Sequence, residues 1–205
     1  VPMDDAKRAA KALGGSLNDF FVAGAAGGAG AYHRAMGSSV AELRITMPIS
    51  TRTDGSAGGN AFIPTRVLVP VDVEDPTERF RVIHERLAST RGERALGAVG
   101  AVAGFANLLP TSASVRIARQ QVETVDFATS NVRGAPFPLF IAGAAIEANY
   151  PIGPVAGTAW NLTLMSYNGS LDMGLNVDAG AVADPGLLRE CIEAEFAALL
   201  LSGAG

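Results

Sequence analysis

The chain has 205 residues, 48% of them hydrophobic and 18% charged, a globular composition long enough for one well-buried domain spanning 1–205. Its 16 basic and 20 acidic side chains give a net charge of -4, so no chain-wide positive field exists to hold nucleic acid. The one cysteine, Cys191, excludes an internal disulfide, and with no secretory leader ahead of Val1 a cytoplasmic setting is expected. Glycine, at 24 residues, stands well above its average share of roughly 7% and needs a structural reason. Two uncharged stretches, 20–33 and 95–115, test for membrane insertion. The first is rich in glycine and the second carries Asn107, Pro110, Thr111 and Ser112, whereas a spanning helix needs about 20 predominantly apolar residues. Neither is read as a span.

In chain order, Asp4 precedes Ala6, Ala9, Ala10 and Leu13, and Gly14-Gly15 follows, which predicts a short helix capped by Asp4 and stopped by glycine. Ser16, with Asp19 three residues on, resembles a capping box and opens a second helix over 17–36. Gly24, Gly27, Gly28 and Gly30 lower its propensity and predict close packing against a neighbour. Residues 42–49 and 62–71, rich in Ile, Val, Leu and Thr, read as strands separated by a glycine-rich loop around 54–60. Pro76 opens a charged helix with Phe80, Ile83 and Leu87 on one face, expected to end near Arg91-Gly92. Further helices are expected at about 96–109 and 112–122, then strands at 125–132 and 139–146 with the turn Gly134-Ala135-Pro136-Phe137-Pro138 between them.

The clearest local signal is 160–177, two alternating runs joined by Asn168-Gly169, the dipeptide suited to a type I′ hairpin turn. A two-residue loop fixes the register: Tyr167 faces Ser170, Met165 faces Asp172, Thr163 faces Gly174 and Asn161 faces Asn176. The opposite face carries Trp160, Leu162, Leu164, Leu171, Met173, Leu175 and Val177 and needs a core, while the polar face is read as a cleft lining. Asp184-Pro185 caps a last helix with Leu188, Ile192, Phe196 and Leu199 at helical spacing. Strands alternating with helices, plus a hairpin, predict an α/β (α+β mixed) fold, a mixed sheet flanked by helices.

No complete catalytic set is present in the residues alone. Cys191 sits on the apolar face of the last helix, where a packed, unreactive thiol is expected. His33 and His84, with one cysteine, assemble no zinc constellation, and each reads as a boundary histidine rather than a base. The glycines at 24–30 lack a Lys-Ser/Thr ending and so make no phosphate loop. Asn18-Asp19 opens a helix, where Asp suits the macrodipole and free N–H groups suit an anion or oxyanion; capping and function both remain open there.

The order of the motifs is more informative than any one of them. Leu17-Asn18-Asp19 is followed by Pro48-Ile49-Ser50-Thr51-Arg52, Gly59-Asn60, and Ser130-Asn131-Val132-Arg133-Gly134. Then come Pro138-Leu139, Tyr150-Pro151, Gly153-Pro154, Asn161, Ser166-Tyr167-Asn168-Gly169 and Asp178. This series resembles the C-terminal domain of the bacterial wax ester synthase/diacylglycerol acyltransferase family over nearly the whole chain.

The resemblance implies one half of a fold like that of chloramphenicol acetyltransferase and peptide condensation domains, with the active site between two halves. It implies transfer of a fatty acyl group from acyl-CoA, a co-substrate rather than a bound cofactor, to diacylglycerol or a long-chain alcohol. The family's base is a histidine in a His-His-x-x-x-Asp-Gly motif of the N-terminal half, and no residue here inherits it. Neither His33 nor His84 is doubled, and Gly37 and Ala88 stand where the Asp would be. The chain is thus expected to be part of a longer enzyme, with Asn18, Asp19, Asn161 and Ser166 supporting the site and no metal. Expected partners are the N-terminal half and the lipid substrates, at the periphery of the inner membrane or of lipid droplets, without nucleic acid. Two other readings stand beside this one: a non-catalytic interaction domain of the same fold, and an acyltransferase of polyketide or lipopeptide assembly fed by a carrier protein.

Overall fold

The computed structural model describes residues 1–50, 62–96 and 124–203. Its elements are α1 (Met3–Ala12), α2 (Leu17–Ala35), β1 (Glu42–Ser50), β2 (Phe62–Pro70), α3 (Pro76–Leu96), β3 (Phe127–Arg133), β4 (Phe140–Ile141), β5 (Ala144–Ala145), β6 (Trp160–Tyr167), β7 (Ser170–Val177) and α4 (Pro185–Ser202). The main sheet has the order β2-β1-β3-β6-β7. β1, β3 and β6 run parallel, and the two outer pairs are antiparallel. This is the mixed sheet with helices that the sequence predicts.

Alternation decides which face of the sheet meets the helices. Leu43, Ile45 and Met47 on β1, Val67 and Val69 on β2, Phe127 on β3, Leu162 and Leu164 on β6 and Leu171 on β7 are buried in one core with the helix side chains. Phe127 and Trp160 are register partners on neighbouring strands and stack, with ring centroids 3.9 Å apart and planes 8° from parallel.

The glycines of α2 are the reason its neighbours come so close. A Cβ on Gly24 would lie 2.4 Å from the Phe196 ring, one on Gly28 2.5 Å from Ile192, and one on Gly30 1.9 Å from the carbonyl oxygen of Val71. Phe196 of α4 in turn packs on Phe20 and Phe21. At Gly27 the space is filled by the Arg79–Glu195 ion pair. Arg79 is fully buried and its other donors reach Ala23 O, Val73 O and Glu74 O. Burial pushes the Arg79 guanidinium down, and Glu195 opposes that.

The opposite face of β6 and β7 is covered by residues 134–157, which run back across it as a strap. Its only regular structure is the two-residue-per-arm hairpin β4–β5. Polar side chains of the sheet hold the strap by its backbone. Tyr167 Oη accepts from Leu139 N and donates to Ile146 O, and Asp172 accepts from Asn149 N. Asn176 donates to Gly153 O and Asn161 to Pro154 O, each at 2.9 Å.

Several expectations need correcting. Asp4 does not cap α1; the helix begins after Pro2, because Met3 N bonds to Gly169 O and Pro2 bridges Ser170, so Asp4 lies in the first turn. α3 does not stop at Gly92 but runs to Leu96, since a glycine with nothing around its Cβ position lowers helix stability only by about 1 kcal/mol. The strand expected at 139–146 shrinks to β4 and β5, because Ala142 (φ 48) and Gly143 (φ 84) turn the chain after two residues. The expected helices at 96–109 and 112–122 and the loop at 54–60 lie outside the described residues, apart from Leu96, which ends α3.

The hairpin and the last helix match the structure. The 160–177 hairpin has the predicted register, with Asn168 (φ 43) and Gly169 (φ 83) both left-handed as a type I′ turn requires. Asp184 caps α4 through Leu187 N, and Leu188, Ile192, Phe196 and Leu199 are buried.

Candidate functional site

The last turn of α2 is tied to the edge where β1 begins: Arg34 donates to Val71 O, and Val71 N bonds Ala41 O. Nineteen residues at roughly 1.5 Å each put the start of α2 about 28 Å from this contact. Ligands of open α/β sheets bind outside the carboxyl ends of parallel strands. The sheet is open at those ends, since β1 and β3 pair only at Ile45–Phe127 and Thr46–Ala128, whereas β3 stays paired with β6 through Arg133. One residue beyond the last β1–β3 pair, the Thr129 hydroxyl is the buried side-chain polar atom that lacks a hydrogen-bond partner among the described residues.

The start of α2 is locked. The predicted capping box is complete: Ser16 Oγ accepts from Asp19 N, and Asp19 Oδ2 accepts from Ser16 N at 2.8 Å. Asp19 is fully buried and its carboxylate does more than cap. Oδ2 also meets His84 Nδ1 at 2.8 Å, and Oδ1 accepts from Arg91 Nη2 at 2.9 Å, both from α3. With Asp19 occupied in this way, the neighbouring Asn18 is half-buried and its amide makes no side-chain hydrogen bond among the described residues.

The other two sequence candidates part company. Asn161 and Ser166 are five residues apart on β6, roughly 17 Å, and the period of two turns them to opposite faces of the sheet. Asn161 is buried on the strap face, donating to Pro154 O and accepting from Thr163 Oγ1 at 2.7 Å. The polar hairpin face is therefore not an open cleft lining: the amides of Asn161 and Asn176 and the Tyr167 hydroxyl are spent on strap carbonyls, and Thr163 Oγ1 donates to Asn161. Ser166, on the helix-covered face and half-buried, accepts from Gly134 N at 3.3 Å at the end of β3.

His84 is half-exposed on α3 and pairs with Asp19, 65 residues away, a link that local spacing does not carry. Arg91 reaches Asp19 across 72 positions and is equally silent in local spacing. His33 lies edge-on to Tyr32. Cys191 is half-buried, and burial first, then Glu190 and Glu195, push its thiol up. Among the described residues no three His, Cys, Asp or Glu side chains gather as a metal would need, and no helix is long and apolar enough to cross a membrane. A depression of about 380 Å³ lined by Gly30, Arg34, Ser38, Ser39, Asp72 and Glu74 lies at the far end of α2 from Asn18.

Comparison with known proteins identifies the family. The family model described as the WS/DGAT C-terminal domain matches residues 58–200. A putative diacylglycerol O-acyltransferase of Mycobacterium tuberculosis is 32% identical over 206 residues, covering 100% of this chain and 42% of that protein. A probable diacylglycerol O-acyltransferase of the same species is 32% identical over 170 residues, 77% of this chain and 36% of the relative. The chain thus spans less than half the length of these relatives. Among solved structures, the wax ester synthase/diacylglycerol acyltransferase from Marinobacter aquaeolei VT8 superimposes with a TM-score of 0.77 at 19% identity, over 100% of this chain and 48% of that one. A nonribosomal peptide synthetase, FmoA3, matches with a TM-score of 0.64 at 16% identity, over 100% of this chain and 22% of that one. The chain belongs to the wax ester synthase/diacylglycerol acyltransferase family, of which it carries the C-terminal domain.

Proposed function

We propose that this chain forms, as a single domain, the C-terminal half of an acyl-CoA-dependent O-acyltransferase that makes triacylglycerol or wax esters. The acceptor is diacylglycerol or a long-chain alcohol. The base is a histidine of the N-terminal half, which takes the proton of the acceptor hydroxyl as its oxygen attacks the thioester carbonyl. The tetrahedral oxyanion then collapses, the C–S bond breaks and the thiolate of coenzyme A leaves, taking the proton back. This half contributes the Asn18 amide as a donor to the carbonyl oxygen, with Asp19 holding the helix start. Ser166, on the same face of the sheet, is a fainter candidate, and Asn161 a strap anchor.

The observation that carries this reading is the pairing of a family match with an Asp19 whose carboxylate is fully engaged beside an Asn18 that is not. A covering partner is supported by surface composition. Val132, Phe137, Leu139, Phe140, Ile141, Tyr150 and Ile152 account for most of the exposed large apolar side chains among the described residues, and all lie in or beside the strap. Such a surface suits the N-terminal half, with the assembled enzyme working at the periphery of a membrane or lipid droplet. Donation by a carrier protein is the competing reading; its support is a likeness of fold to peptide synthetases at low identity.

The test is Asn18→Ala in the enzyme comprising both halves. Losing one oxyanion donor lowers kcat on the order of 100-fold to 1000-fold, with the thermal midpoint unchanged, and acyl-CoA is preferred to acyl-carrier donors. Wild-type turnover in the variant removes Asn18 from the site.

A further inference from the structure

His84 and Arg91 take no part in the reaction just described, yet they converge on the residue next to Asn18. They are seven residues apart on α3, two helical turns, and so share one face of it. That face meets the buried carboxylate of Asp19, His84 at Oδ2 and Arg91 at Oδ1. A cap needs neither of them. The reciprocal bonds between Ser16 and Asp19 already satisfy the helix start, and a capping box is complete without a second helix. What the two α3 side chains add is a fixed relation between the first turn of α2 and a different element. With them in place, Asp19 is held from both oxygens, and Asn18, one peptide away, cannot shift along or around α2 without stretching bonds of 2.8 and 2.9 Å.

We infer that His84 and Arg91 are positioning residues: acting through Asp19, they hold the Asn18 amide in the orientation that the reaction needs. The inference rests on the proposed role of Asn18. Both side chains are themselves partly open to solvent, His84 at 39% and Arg91 at 46%, so removing either leaves no large cavity. Each removal still strips a partner from the buried Asp19 carboxylate, so the rate is read beside the thermal midpoint. A misplacement of about 1 Å can lower a rate on the order of 100-fold, so a partial loosening is expected to be worth roughly tenfold.

The experiment is a double-mutant cycle in the enzyme comprising both halves, reading kcat, KM and thermal midpoint for His84→Ala, His84→Asn, Asn18→Ala and the His84→Ala/Asn18→Ala pair, with Arg91→Ala as an independent variant. Expected results are a kcat about tenfold lower in His84→Ala and in Arg91→Ala, KM within about twofold, and recovery in His84→Asn, whose amide N–H reaches the same carboxylate oxygen. In the Asn18→Ala background His84→Ala adds no further loss. Wild-type kcat in both single α3 variants overturns the inference. So does an equal loss with and without Asn18, or a loss that tracks the thermal midpoint and is not recovered by His84→Asn. If Asn18→Ala is itself silent, the role of Asn18 falls and the positioning role with it. If Asn18→Ala is slow while the α3 variants are not, only the positioning role falls.

Discussion

The two faces of the sheet are both approached through glycines, but different forces hold what comes close. On the helix face, Gly24, Gly28 and Gly30 let α2 settle against Phe196, Ile192 and the Val71 carbonyl, and the contact is side-chain packing in a dry core. On the strap face, Gly174 admits the Pro151 carbonyl, where a Cβ would sit 1.7 Å away, yet the strap has little regular structure and exposes its large apolar side chains. It stays in place because Asn161, Tyr167, Asp172 and Asn176 bond to its backbone. One layer is held by volume, the other by direction. Volume is intolerant of addition and directional bonds of deletion, and this difference is testable.

The largest effect is expected on the helix face. Gly30→Ala would gain up to about 1 kcal/mol of helix propensity. The added methyl must displace the Val71 backbone, and overpacking of this kind costs about 1–3 kcal/mol and often more where backbone cannot yield. The clash wins, so urea denaturation should show a clear loss of stability; a stabilised variant would mean that α2 is not seated as described.

A smaller effect is expected on the strap face. Asn161→Ala removes the donor to Pro154 O and leaves Thr163 Oγ1 without its acceptor, which should cost about 1–3 kcal/mol and raise hydrogen exchange at 146–157 more than in α2. Uniform loosening of both layers would erase the distinction. The smallest effect on folding is expected from Phe140→Asp with Ile141→Asp, at 65% and 67% exposure, within about 0.5 kcal/mol for the chain alone. The same pair should weaken association with the N-terminal half, measured by co-purification; unchanged association would place that half elsewhere.

Legibility followed the range of the interaction. The Ser16–Asp19 capping box, the Asn168-Gly169 turn and the Asp184 cap are built within three residues, and the sequence states each of them. The glycines of α2 signal a close approach but not its partner. At Asp4 and over 139–146, tertiary contacts, the bridge of Pro2 to Ser170 and the strap's departure from the sheet, override local propensity. Asn161 and Ser166 share a hairpin, and strand alternation sets them on opposite faces.

By itself the sequence determined the starts of α2 and α4, the hairpin and its register, and the family, because each depends on neighbours within a turn or on an ordered set of motifs. Only the tertiary structure decided that the hairpin's polar face is covered by its own strap and that Asp19 is shared with His84 and Arg91. Those contacts join residues as far as 72 positions apart. No periodicity carries that distance, and only the packing of α3 beside α2 brings the carboxylate and its partners together.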